Sequence, residues 1–329
     1  MFVPTHASKN AIFESVFSYT VKLCFILYSV SLFFVTSDET WYGQPDPTLL
    51  MSTKPRQRVM RLFHRNNVAA VEQIFRRKQL HGRRRTWHRN GQLATQQFFQ
   101  NGLLDGTCSQ WNEKGKMLGE YEMVHGTGTQ KSWHDNGRQS QEFTTIAGEL
   151  CGRRRVWLRD GTLIADEILL FGQPVSPDEY RQAMAKEPRL PKFRGAPAKL
   201  PPRNRAMEKH IHDVFVSGLL AKQNGSEART WLKAGGGAMR SLGRFKLEGD
   251  ALKFVEELYQ AGAVKVIAPD IYQNKRGDQF ADGLLVELPK AAAVRNAVRK
   301  AGEQLRSRRL GAVEPDKDIG EEFLLLSMA

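Results

Sequence analysis

Residues 82–91 read Gly-Arg-Arg-Arg-Thr-Trp-His-Arg-Asn-Gly, and the frame Gly, four residues, Trp, three residues, Gly occurs four times in this chain. Its copies are Gly82-Trp87-Gly91, Gly106-Trp111-Gly115, Gly128-Trp133-Gly137 and Gly152-Trp157-Gly161. Successive tryptophans lie 24, 22 and 24 residues apart, and four of the six tryptophans of the chain share this register. A period of this length indicates one supersecondary unit copied along the chain.

The unit carries the signals of a β-hairpin. Asn or Asp precedes the last glycine in three copies, and a lysine does so in the second: Asn90-Gly91, Lys114-Gly115, Asn136-Gly137, Asp160-Gly161. Because Asn-Gly and Asp-Gly tolerate positive φ at both central positions, we predict type I′ turns here. Further glycine-bearing loops follow at Asn101-Gly102, His125-Gly126 and Ala147-Gly148. The sequence therefore predicts about eight short antiparallel strands in a meander.

One hairpin cannot bury its own apolar face, whereas stacked hairpins can. We therefore predict that the four tryptophans form one buried row and serve as core side chains. The expected packing partners are apolar residues of the adjoining strands: Leu93, Phe98, Leu118, Tyr121, Phe143, Leu163 and Ile168.

This pattern resembles the variant MORN repeat, in the form found in bacterial proteins grouped as a YwqK-like antitoxin family. The resemblance rests on the Trp-x-x-(Asn/Asp/Lys)-Gly core and its flanking glycines, and it covers about residues 80–173. It implies a β-hairpin array that acts as a binding or scaffold module. Classical MORN arrays have been linked to membrane lipids and to protein partners, and the residues here do not select between those.

The composition favours acidic partners. The chain has 329 residues, a formal net charge of +14 and a sequence pI of about 9.8, which suits an acidic protein, an anionic lipid or nucleic acid. A basic protein without such a partner is an equally open interpretation. Three cysteines without a Cys-x-x-Cys pair indicate a fold that does not depend on disulfides.

The N-terminal segment, residues 1–50, differs from the rest of the chain. Between Ser15 and Thr36 the only charged residue is Lys22, and this length suffices for one membrane span. A signal-anchor, a signal peptide and a start codon assigned too early, with translation from Met51, all remain open. We expect a cytoplasmic protein if translation starts at Met51 and a membrane-anchored one otherwise.

Residues 51–80 are basic, and they are predicted to form a helical cap for the repeats at 81–173. Asn67 is a good N-cap residue, and apolar residues follow it at helical intervals, namely Val68, Val71, Ile74 and Phe75. Two arginine clusters also occupy one repeat position, at 83–85 and 153–155. Since alternate strand residues share a face, we consider an anion contact by Arg83, Arg85, Arg153 and Arg155, against ordinary solvent-facing positions.

Residues 174–205 form a basic linker that holds seven of the 14 prolines. It opens with Ser176-Pro177-Asp178-Glu179, a helix start with a capping-box pattern. Residues 206–329 are predicted as an α+β domain. Its strands are expected at Gly243–Leu247, Ala263–Ile267, Gly283–Leu288 and Phe323–Ser327, with helices at 250–260 and 289–306, a ferredoxin-like β-α-β-β-α-β order.

No catalytic constellation emerges from the sequence. The triple glycine at 235–237 lacks the phosphate-loop spacing, His210 and His212 face apart on a predicted helix, and Asp270, Asp278 and Asp282 are interpreted as solvated loop acids rather than cation ligands. We therefore expect a non-enzymatic binding or scaffold protein with no cofactor, no metal and no small-molecule substrate. Its partner is expected to be another protein. The alternatives are a membrane-anchored envelope protein and an RNA-associated regulator.

Overall fold

A computed structural model of the chain describes residues 57–329 except 194, 235–236, 246, 311–316 and 329. The predictions for residues 1–50, for a span at Ser15–Thr36 and for a start at Met51 lie outside the described residues. Within the described part, no helix combines the length and the apolar character needed to cross a membrane.

An antiparallel meander makes up the N-terminal half, as the repeats predicted. Its strands follow one another as β1 (Gln57–Phe63), β2 (Ala69–Arg76), β3 (Gln79–Trp87), β4 (Leu93–Gln100), β5 (Leu103–Leu104), β6 (Gly106–Trp111), β7 (Met117–Met123), β8 (Gly128–Trp133), β9 (Gln139–Ile146), β10 (Glu149–Trp157), β11 (Leu163–Leu170) and β12 (Gln173–Val175). Strands β1 to β7 form one sheet and β8 to β12 a second.

The predicted helical cap at 51–80 is wrong, because β1 and β2 form a further hairpin of the array. Phe63, His64 and Asn66 lie 24 residues before Trp87, His88 and Asn90, so this hairpin is a copy of the repeat with Phe in place of Trp. The β-branched residues of β2 pair with β1, with Leu62 opposite Val71 and Val59 opposite Ile74. Pairing with neighbouring strands outweighs the weak helical spacing.

The predicted turn type is also wrong at the Trp-proximal loops. Gly91 N–H donates to the His88 carbonyl and His88 N–H to the Gln92 carbonyl, while only Gly91 of the turn has positive φ. This is a type I turn followed by a left-handed bulge residue. The other copies repeat it, with Asn67, Gly115, Gly137 and Gly161 at the left-handed position.

Two-residue turns with positive φ at both positions, the pattern predicted above, occur at the opposite edge of the array. They are Arg77-Lys78, Asn101-Gly102, His125-Gly126, Ala147-Gly148 and Phe171-Gly172.

The meander divides where the tryptophan spacing shortens to 22 residues. Three residues lie between Gly102 and Gly106, but only one lies between Gly126 and Gly128. Strand β8 therefore starts too early to pair fully with β7, and a single Val124–Thr127 bridge joins them. The Trp133 ring fills the joint: a Cβ added to Gly119 would lie 2.2 Å from Trp133 Cζ2.

The four tryptophans of the repeat are half-buried rather than buried, so the prediction of a buried row is wrong. An array one sheet thick leaves its large side chains partly accessible. The Arg85 guanidinium lies 5.2 Å from the Trp87 ring centroid, and Arg155 lies 5.3 Å from that of Trp157. Cation–π contacts of this kind stabilise partly exposed rings.

Helix α1 (Pro177–Lys186) covers the last repeat. Ser176 and Glu179 form the predicted capping box, which confirms the helix start. Tyr180 of α1 is fully buried with Cys151, Ile168 and Leu190 in a small core.

The C-terminal part contains α2 (Arg205–Leu220), β13 (Ser226–Glu227), α3 (Ala228–Lys233), β14 (Arg240–Leu242), α4 (Glu248–Gln260), β15 (Lys265–Ala268), β16 (Tyr272–Gln273), β17 (Gln279–Ala281), β18 (Gly283–Glu287), α5 (Ala292–Leu310) and β19 (Phe323–Ser327). One sheet has the order β13-β15-β18-β19 and the other β14-β17-β16. Leu258, Val266, Leu284 and Val286 are wholly buried in the core between helices and sheet.

These sheet orders correct the ferredoxin-like prediction. In that plait the first strand lies inside the sheet, whereas β18 here pairs directly with β19 and β14 pairs with β17 in the other sheet. The first strand ends at Leu242, because Gly243 has a φ of +47° and a Cβ there would lie 2.1 Å from the Met328 carbonyl oxygen.

Candidate binding surfaces

The Trp-proximal turns of the five hairpins stack along one side of the array, which we call the turn edge: 64–67, 88–91, 112–115, 134–137 and 158–161. The stack is held by a side chain that follows the aromatic residue. His64, His88 and His134 each place Nε2 2.8–2.9 Å from the carbonyl oxygen of the tryptophan in the next copy. In the third copy the contact comes instead from Gln110, which precedes Trp111 and donates from Nε2 to the Trp133 carbonyl at 2.8 Å.

The C-terminal part docks on this turn edge through an ionic cluster. Asp282 accepts hydrogen bonds from Arg89 and from Arg65 Nη1, the latter at 3.0 Å, and Tyr272 Oη lies 3.1 Å from its Oδ2. The Arg89 guanidinium also lies 4.4 Å from the Tyr272 ring centroid and 3.4 Å from Asp270 Oδ2. Two turns of the array thus share the carboxylates of one C-terminal loop region.

Burial and neighbouring charges both shift the pKa values of Arg89 and Tyr272 in this cluster. Burial favours the neutral form of Arg89, but the carboxylates of Asp282 and Asp270 outweigh it and hold the pKa of Arg89 above its usual value. Burial raises the pKa of the Tyr272 hydroxyl, and the adjacent Asp282 charge raises it further. Tyr272 therefore stays a hydrogen-bond donor to Asp282 throughout the physiological range.

Helix α2 and the residues after it extend the contact along the edge. His210 lies 3.0 Å from Asp160 of the last turn, and Lys222 bridges Glu113 at 2.8 Å and Asp270 at 3.1 Å. Burial would lower the pKa of Lys222, yet the two carboxylates raise it. The chain therefore returns along its own array, from the last hairpin towards the first.

A cleft of about 1470 Å³ opens between the first two turns and the C-terminal loops. One wall consists of residues 66–69 and 89–91, and the other of residues 224–226 and 270–276, with Trp231 among the lining side chains. The two walls are tied together because Asn66 Nδ2 donates to the carbonyls of Arg89 at 2.7 Å and Gln273 at 3.0 Å.

The arginines singled out from the sequence lie on one face of the array, but most are engaged within the chain. Arg85 pairs with Glu72, and Arg155 pairs with Glu142. Arg153 binds Asp166 with both its Nε and Nη2 at 2.7 Å. Arg83 is exposed and has no acidic partner within salt-bridge distance among the described residues.

This face, which we call the arginine face, is defined by Val59, Arg61, Ile74, Glu72, Arg83, Arg85 and Phe98 in the first sheet and by Arg153, Arg155, Asp166 and Ile168 in the second. The cross-strand register places them together. The half of the arginine face in the first sheet and the half in the second sheet differ in whether other parts of the chain cover them. Arg153 donates to the Ala196 carbonyl at 3.5 Å and Asp166 accepts from Ala198 N–H at 2.8 Å, so the linker and α1 cover the second half.

The other sequence candidates acquire structural roles. Asp270 and Asp282 bind cationic side chains of the array, and Asp278 accepts a hydrogen bond from Met239 N–H at 3.1 Å. Among the described residues, no group of three His, Cys, Asp or Glu side chains is placed to hold a metal ion. His212 pairs with its neighbour Asp213.

Comparison with known families supports the repeat assignment. The model of the MORN repeat variant matches residues 80–101, which comprise β3, the turn after it and β4. A search of curated proteins finds no significant match to the chain. The chain thus contains a MORN-type hairpin repeat, and the structure shows the same hairpin in five copies.

Sequence reasoning missed the turn edge as a docking surface. The residue before each Asn, Lys or Asp of these turns carries a charge in all copies: Arg65, Arg89, Glu113, Asp135 and Arg159. Three of them bind Asp282, Asp270 or Lys222 outside the array. A charge at the same exposed turn position in every copy was the available signal.

Proposed function

We propose that this chain is a non-enzymatic binding and scaffold protein whose partner is another protein, contacted through the uncovered half of the arginine face. The MORN-type repeat supports the class, since such repeats commonly serve as binding modules. An antitoxin-like role is a narrower form of the same proposal.

The observation that carries the proposal is the unequal covering of equivalent positions. Ile168 in the last repeat is 2% exposed beneath Tyr180 of α1. Ile74 and Phe98 hold the same repeat position 94 and 70 residues earlier, and both remain part-exposed. Within the chain, the second half of this face thus packs against Tyr180 of helix α1 and against the extended linker, which supports the first half as a docking surface.

The uncovered half also offers both apolar and charged side chains to a partner. Val59 is 51% exposed beside exposed Arg61 and Arg83. Exposed apolar area rimmed by charges is typical of protein-binding surfaces. The net charge of +14 favours a partner with acidic residues at its rim.

Affinity purification at native expression, followed by crosslinking, tests the proposal. The variant Val59→Glu/Arg83→Glu should weaken binding of the recovered partner about tenfold or more. The matched control Val264→Glu/Lys265→Glu likewise replaces a valine and a basic residue at exposed positions of the C-terminal part and should leave the affinity unchanged.

Crosslinks confined to other surfaces, or equal losses in both variants, would contradict this assignment. Anionic vesicles and RNA serve as further ligands in the same assay. Tighter binding of either one, with loss in the Val59→Glu/Arg83→Glu variant, would replace the protein partner by a lipid or an RNA.

A further inference from the structure

The cleft between the turn edge and the C-terminal loops is a second candidate site, separate from the arginine face. Its volume of about 1470 Å³ exceeds the roughly 300–1000 Å³ of typical small-molecule pockets. A cleft of this size, open along one side, suits a length of polypeptide better than a metabolite.

The walls of the cleft are fixed before any ligand arrives. Asn66 is 3% exposed and hydrogen-bonds both walls, and Arg89 of one wall pairs with Asp270 of the other. Binding in a preformed cleft avoids the entropic cost of ordering its walls.

The charges at the base of the cleft are already neutralised, while those at its lip are not. Arg89, Asp270 and Glu113 are engaged in ion pairs. Lys275 and Arg276 at the lip are exposed and have no carboxylate within salt-bridge distance in the described part of the chain. An acidic ligand would therefore meet two exposed cations that lack a close ion pair among the described residues, and the attraction between Arg276 and Asp278 acts over a longer distance.

The loop that presents these cations is rigid. Asn274 Oδ1 accepts hydrogen bonds from Arg276 N–H at 2.9 Å and Asp278 N–H at 3.0 Å. Gly277 holds a φ of +88°, so the loop is closed like the turns of the array opposite it. The positions of Lys275 and Arg276 are therefore set by the backbone.

The remaining lining matches an extended peptide. Gln273 offers a side-chain amide to a peptide backbone, and the part-exposed Val68 and Ile271 offer apolar surface to alternate side chains.

We propose that this cleft binds an extended acidic segment of a partner protein, with its carboxylates on Lys275 and Arg276 and its apolar side chains towards Val68 and Ile271.

Fluorescence anisotropy of the purified full chain tests this site without knowledge of the natural partner. The probe is a labelled peptide of about ten residues that alternates Glu and Val, long enough in extended form to cross the cleft. We expect saturable binding, weakened about tenfold or more in Lys275→Glu/Arg276→Glu, and lost when Gln replaces every Glu of the probe.

The control Lys253→Glu/Lys300→Glu makes the same change of charge at exposed positions of α4 and α5 and should bind like the wild type. No binding by the wild type, an equal loss in the control, or tighter binding of an oligouridine of similar length would overturn the proposal. Because the arginine-face variant leaves the cleft intact, it should bind this probe normally, and the two proposals can fail separately.

Discussion

Replacing Asp282 with Asn should uncouple the C-terminal part from the turn edge. The carboxylate accepts from Arg65, Arg89 and the Tyr272 hydroxyl, and its side chain is 15% exposed. Each hydrogen bond to a charged group contributes about 1.5–3 kcal/mol, and breaking a fully buried pair costs about 3–5 kcal/mol.

The side chains of Arg65 and Arg89 are 18% and 27% exposed, so water can replace some of the lost contacts. Arg89 also keeps its ion pair with Asp270. We therefore expect Asp282→Asn to lower the free energy of unfolding by about 2–4 kcal/mol. Urea unfolding followed by tryptophan fluorescence measures the change.

Asp135→Asn is the matched control, since Asp135 lies on the same edge with 46% of its side chain exposed, its salt bridge among the described residues is to Arg159 of the array, and Lys222 attracts it from a longer distance. It should cost less than about 1 kcal/mol. A double-mutant cycle of Asp282→Asn with Arg65→Met should give a coupling of about 1–2 kcal/mol. If Asp282→Asn costs no more than the control, the cluster does not hold the two parts together.

Three further perturbations test the array and the C-terminal core. Gly119→Ala should destabilise by about 1–3 kcal/mol through displacement of Trp133, while Gly249→Ala, with open space around its Cα, should be neutral or slightly stabilising in thermal melts. His64→Gln should remove a pH dependence of stability: burial lowers the pKa of His64, so its contribution is present above a pH of about 6.5 and is lost as the pH falls below it, whereas glutamine does not titrate. Glu321→Gln, at a carboxylate 3% exposed between two arginines of α5, should cost about 3–5 kcal/mol in urea unfolding; a smaller loss would mean that water screens the site.

The sequence predicted the meander well because its signals are local. Glycine-bearing loops and evenly spaced tryptophans define hairpins without reference to the rest of the chain. The first copy was missed because Arg58, Phe63 and Asn67 replace Gly, Trp and Gly at the three positions that define the frame. Without those markers, the β-branched residues after Asn67 were assigned by spacing alone, which does not separate a helix from a strand over so short a run.

The C-terminal sheet order and the cleft could not be predicted in the same way. Both depend on pairings between residues far apart in sequence, such as Arg65 with Asp282. The strand at 240–242 was placed too late and in the wrong sheet, because nothing local shows that Gly243 turns the backbone against Met328. Strand order is decided by such long-range contacts, so element type was predicted more reliably than topology.

Within each repeat, different positions carry architecture and recognition. The aromatic residue and the left-handed turn residue keep the hairpin and its stacking alike in every copy. The turn position before Asn, Lys or Asp varies in sign, and the sign matches what lies opposite: Arg65 and Arg89 face Asp282, whereas Glu113 faces Lys222. This edge is occupied by the chain's own C-terminal part, whereas the first-sheet half of the arginine face and the cleft remain accessible in the described part of the molecule.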